Sequence, residues 1–189
     1  GAAAGGDVKA AVSLLEGHLK SPLRKSEPEI MLDSSFRSIS SSPEWRALWK
    51  KDWYRGDERK SWEIEYYLKS GRTDMAAGAY AELASLYPEK PVTEYCNARL
   101  LMSNGRYQEA AEILDAITRD SNSPAKWLFT LAEAREGEGS AYAAAAAYDR
   151  LINARYPDPS LLLKKARMLI RSGDREAAKK EMQRYISID

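Results

Sequence analysis

The stretch Asn104–Ile117, NGRYQEAAEILDAI, decides the fold. Gly105 opens it, and Ala110, Leu114 and Ile117 follow 5, 9 and 12 residues later. A glycine adopts a left-handed backbone at little cost, so it can end one helix and turn the chain into the next. The spacings of four and three then put Ala110, Leu114 and Ile117 on one face of that second helix. A small residue at Ala110 lets two antiparallel helices approach closely, and a bulky one there is predicted to cost about 1–3 kcal/mol through overpacking.

The arrangement recurs on both sides, in SGRTDMAAGAYAELASLYP (Ser70–Pro88) and in SGDREAAKKEMQRYISID (Ser172–Asp189). The turn glycines Gly71, Gly105, Gly139 and Gly173 stand 34 residues apart. The small slot is filled by Ala76, Ala110, Ala144 and Ala178, and the larger slots by Tyr80, Leu114, Tyr148 and Met182, then Leu83, Ile117, Leu151 and Tyr185. Seven residues before each glycine come Ile64, Ala98, Ala132 and Ala166. Tyr87-Pro88 and Tyr156-Pro157 are expected to close the second helices of their units, since proline cannot continue a helix.

This pattern resembles the tetratricopeptide repeat, whose signature includes small residues at two positions, a turn glycine and a proline near the end. The resemblance implies an all-α, right-handed superhelical solenoid of antiparallel helix pairs. Its units are expected at 57–90, 91–124, 125–158 and 159–189, so that residues 57–189 hold four regular repeats. Departures from the family pattern are Lys60, Glu94, Leu128 and Leu162 at its early tryptophan, and Asn122 at the proline of the second unit.

Residues 1–56 are expected to be degenerate N-terminal repeat or capping helices with a Ser/Pro loop. Gly5–Leu19 resembles a turn and second helix, with Ala11 in the small slot and Leu15 in the large one. Gly6 lies three residues short of two periods before Gly71, so the unit between them is distorted. The Ser- and Pro-rich residues 21–42 read as loop or short irregular turns. Ser42-Pro43-Glu44 then predicts a helix start, and a helix to about Arg55 carries Trp45, Trp49 and Trp53 at intervals of four. That stripe reads as packing against the first regular repeat and capping the solenoid, against the alternative of a membrane-surface or base-stacking helix. The chain opens inside a repeat, as a fragment or processed form would.

The bulk numbers exclude several classes of function. Basic and acidic residues nearly cancel, 29 against 28, so no global field points to nucleic acid or an anionic membrane. No apolar run approaches the roughly 20 residues that span a bilayer. The opening Gly-Ala-Ala-Ala-Gly-Gly lacks the basic start and apolar core of a signal peptide and reads as a processed or engineered end. Localisation is therefore open between the cytoplasm and, with a signal removed, the periplasm. Cys96 is the single cysteine, which excludes an internal disulfide and a cysteine metal cluster. His18, the single histidine, has no triad or metal partners near it in sequence. Gly137-Glu138-Gly139 lacks the spacing and the lysine of a phosphate loop. Glu133, Glu136 and Glu138 read as a solvated helical face. No enzyme, metal or cofactor is expected.

The family's first helices line a concave groove that meets ligands. Carried over by position, the resemblance implies partner contacts at Trp62 and Glu65, at Tyr95, Arg99 and Met102, at Lys126 and Phe129, and at Arg167 and Arg171. Aromatic anchors beside arginine suit a binding hot spot. The lysine and asparagine clamp that some members close on a chaperone carboxylate does not match. Ser61, Glu65 and Cys96 hold its first slots, and only Lys126 fits. Net charge runs −2, −2, −1 and +4 through the four units, with +2 for residues 1–56. The basic last unit reads as a soluble capping face or as a dock for an acidic partner. The expected function is a noncatalytic scaffold holding a protein or peptide in the groove. The alternative is an assembly domain, homodimeric or part of a larger, envelope-associated protein.

Overall fold

The computed structural model describes residues 7–21, 24–120 and 123–187. Gly6, Asn122 and the terminal Asp189 of the patterns above lie outside the described residues. Among those described the chain is all-helical, and it divides into two compact units, 1–62 and 63–189. The division falls inside a helix, after Trp62, rather than at the expected boundary before residue 57. Trp62 sets it there by packing in the N-terminal core, edge-on to Tyr54 at 4.9 Å.

The N-terminal unit holds α1 (Val8–Leu19), α2 (Glu27–Met31), a 3-10 turn (Ser34–Phe36), α3 (Pro43–Trp49) and the start of α4 (Gly56–Lys69). Ala11 and Leu15 are buried on α1, in keeping with their slots. Residues 24–42 of the Ser/Pro-rich stretch are more ordered than expected. Ser26 and Glu29 form a reciprocal capping box, and Pro28 sits in the first turn of α2. The residues that signal a loop are also those that start a helix, which is why α2 reads as loop in sequence. The tryptophan helix is shorter than expected. α3 ends at Trp49, and Trp53 lies beyond it, its indole N–H donating to the Leu48 carbonyl at 2.8 Å. Trp45 and Trp49 face one core, with ring centroids 5.7 Å apart.

The second unit runs from the end of α4 through α5 (Thr73–Leu86), α6 (Pro91–Ser103), α7 (Tyr107–Ile117), α8 (Ala125–Gly137), α9 (Ala141–Asn153), α10 (Ser160–Arg171) and α11 (Arg175–Ile186). From α5 onward each helix packs on the next. All four turn glycines have positive φ, between 70° and 91°. At each, the same two hydrogen bonds close the first helix. Gly105 N–H donates to Met102 O at 3.0 Å and Arg106 N–H to Leu101 O at 2.9 Å, and the other three turns repeat the pair. The small slots Ala76, Ala110, Ala144 and Ala178 are 0–1% exposed, so the helices meet there with no room for a larger side chain. α9 stops at Asn153, three residues before Tyr156-Pro157, because Arg155 takes the left-handed backbone first.

Candidate functional site

The end of α4 and the first helices α6, α8 and α10 of the second unit carry a repeated slot. Glu65, Arg99, Glu133 and Arg167 are 34 residues apart, so one face bears charges that alternate in sign from helix to helix. Glu65 accepts a hydrogen bond from Lys126 Nζ of α8. The guanidinium of Arg99 stands 3.8 Å from Glu133 and is about one quarter exposed, while its Nε is buried without a hydrogen-bond partner. Arg167 is exposed. Arg171, one turn further on, stands 3.9 Å from Glu136, which also accepts from the Tyr148 hydroxyl at 2.6 Å.

Two aromatic pairs flank this row. Tyr95 is 2% exposed and stacks on Trp127 at 5.5 Å and 18°. Burial raises its phenol pKa, with the Glu65 carboxylate adding to the shift. Lys126 Nζ lies 6.0 Å from the Tyr95 ring. Phe129 is half-buried, edge-on to Tyr156 at 5.1 Å, with Lys164 Nζ 5.2 Å from its ring. Met102 is half-buried against the core.

Of the sequence-derived residues, then, Glu65, Arg99, Met102, Lys126, Phe129, Arg167 and Arg171 are all at least partly exposed on first helices of the second unit. Tyr95 is buried under Trp127. Trp62 belongs to the core of the N-terminal unit. Trp127 and Tyr156 join the site without belonging to the set the repeat spacing picks out. Tyr95 and Phe129 share one repeat slot, but the residue stacking on Tyr95 is Trp127, whose counterpart one repeat later is the smaller Leu161. A period cannot distinguish slots whose neighbours differ in size.

Burial pushes the Cys96 thiol up to about 12, with Glu65 reinforcing the shift and Lys126 and Arg99 opposing it. His18 Nε2 accepts the Lys25 N–H at 2.9 Å. Among the described residues, no group of three His, Cys, Asp or Glu side chains is placed to hold a metal ion. No helix among them is long and apolar enough to cross a membrane.

Comparison with known proteins agrees with this architecture. Residues 67–134 match the family model described as tetratricopeptide repeat. No curated protein sequence matches the chain. Among solved structures, MamA 41-end from Desulfovibrio magneticus RS-1 superposes with a TM-score of 0.58 at 17% identity, over 93% of each chain. A double mutant of MamA from RS-1 gives 0.57 at 17% identity over the same shares, and MamA from AMB-1 gives 0.57 at 14% identity over 77% of this chain and 88% of that one. At these identities the likeness is one of fold. The helix pairs of 67–134 thus match tetratricopeptide repeats, which in general serve as protein-interaction scaffolds.

Proposed function

We propose that the chain is a noncatalytic scaffold that holds a peptide or helix of a partner protein across the first helices of residues 63–189. The alternating row Glu65, Arg99, Glu133 and Arg167 carries this reading. A row of matched charges at one period gives register to a bound peptide, and Arg99 and Arg167 supply the cationic positions. The Arg99 guanidinium, about one quarter exposed beside Glu133, is the cation of the row that a carboxylate of the ligand would meet. Met102 and Phe129 provide apolar contact beside the row. Tyr95 acts from beneath, as the support on which Trp127 rests, and Trp62 is left out of the contact set.

The test is affinity capture from the native lysate with mass spectrometry, wild type beside an Arg99→Glu/Arg167→Glu variant. The expected result is a protein enriched by the wild type and lost with the variant, at equal helicity by circular dichroism. Equal capture by both chains would sink the reading. Capture of the chain by itself alone would favour an assembly domain instead.

A further inference from the structure

In a helical repeat array each unit packs on its neighbours, and the array flexes by small rotations from one unit to the next. The ion pairs Arg99–Glu133 and Arg171–Glu136 follow that rule and join adjacent repeats. The pair Glu65–Lys126 does not. Glu65 stands on α4 and Lys126 on α8, 61 residues further on, and their bond reaches across α6. Lys126 Nζ lies 6.0 Å from the ring of Tyr95 on α6, and both charges act on the neighbouring Cys96 thiol. Tyr95, Cys96 and Thr130 beneath the bridge are 2%, 0% and 3% exposed. One repeat later the two slots hold Arg99 and Ser160, which cannot form an ion pair, so this bridge is not copied there.

We infer that the Glu65–Lys126 pair is a latch, which shuts the first-helix groove over α6 when closed and frees both charges when open. Its strength suits a part that moves. The Lys126 side chain is 58% exposed and that of Glu65 20%, so water competes for the bond and the pair adds little to stability. Each repeat keeps its own core whether the latch is closed or open. What the latch sets is the approach of α4 to α8, which packing between neighbouring repeats leaves soft. Its role in binding rests on the groove reading above, since the closed latch withholds Glu65 and Lys126 from a ligand. The bond itself does not depend on that reading.

Cys96, the single cysteine, reports the latch with no ligand present. The full chain is treated with iodoacetamide, a neutral reagent, and alkylation is followed by mass spectrometry. Glu65→Gln and Lys126→Met keep the size of each side chain and remove one charge. Both are expected to speed alkylation at least about tenfold by populating the open form. The charge swap Glu65→Lys/Lys126→Glu is expected to restore the slow rate, and thermal midpoints are expected to stay unchanged. An effect of charge on the thiolate alone gives a different pattern. Glu65 raises the thiol pKa and Lys126 lowers it, so Glu65→Gln would then speed alkylation and Lys126→Met would slow it. That split overturns the inference. Wild-type rates in both variants, a charge swap as fast as the single changes, or a midpoint lowered enough to explain the faster rate overturn it equally. None of these outcomes bears on the groove reading, which fails only if capture by the wild type and by Arg99→Glu/Arg167→Glu is equal.

Discussion

In residues 7–62 helices begin with their own caps. Asp7, Ser26 and Ser42 each accept a hydrogen bond from the first turn of α1, α2 or α3. In the second unit α5 through α10 have no side-chain cap, and the order lies instead in the glycine turns between paired helices. The cores differ in the same sense. The first unit gathers Phe36, Trp45, Trp49, Tyr54 and Trp62 around short helices, whereas the second fits alanines against leucines and tyrosines along a row. One region is stabilised by a few large side chains and local caps. The other is stabilised by many equivalent interfaces between neighbours, as repeat arrays are.

The largest effect expected from this contrast is in the aromatic core. Trp45 is 6% exposed and touches both Phe36 and Trp49, so Trp45→Ala is expected to destabilise the first unit by about 3–5 kcal/mol. Urea unfolding followed by near-ultraviolet circular dichroism measures it. A loss below about 1 kcal/mol would mean that the ring cluster is not the centre of that core. The repeats break in the opposite direction, by addition rather than removal. Ala110→Leu is expected to cost about 1–3 kcal/mol because the slot is 0% exposed between helices. Ala81→Leu, on an exposed face of α5, should stay within about 0.5 kcal/mol of the wild type. Equal costs at the two alanines would deny the distinction between slot and surface.

The same contrast explains what was legible. Four copies of one signal let Gly71, Gly105, Gly139 and Gly173 be recognised as turns from spacing alone, and each has positive φ. In residues 21–42 no repetition arbitrates, and Ser26 and Pro28 suit a loop or a helix start equally. The hydrogen bonds of Ser26 with Glu29 resolve this only in three dimensions. Trp53 follows Trp49 by four residues, yet the helix has ended. Its indole N–H donates to the Leu48 carbonyl at the end of α3, a role that spacing does not carry. In the candidate site the period puts Arg99 and Arg167 in one slot. It also puts Tyr95 and Phe129 in one slot, though Tyr95 alone is covered by a tryptophan. Periodicity identifies position along a helix face, and burial depends on the sizes of neighbours from other repeats.

The smallest effect concerns Cys96, which sits in the regular unit and reports its packing alone. The thiol is 0% exposed, and its folded pKa of about 12 stands above the ordinary value of 9.0, chiefly because burial disfavours the thiolate. The sign follows from which state releases the proton first. Below pH 9 the thiol is protonated in both folded and unfolded chains, and its contribution to stability is fully present. Between pH 9 and about 12 the unfolded chain ionises while the folded one does not, so that contribution is lost as pH rises. Tyrosines and lysines titrate in the same window, and Cys96→Ala separates the terms. Urea midpoints taken across the window are expected to fall more steeply in the wild type than in Cys96→Ala. Below pH 9 a thiol reagent should modify the native chain far more slowly than the denatured one. Parallel midpoint curves would mean that the interface between first helices admits water at Cys96. The close-packed description of the repeats would then fail at that point.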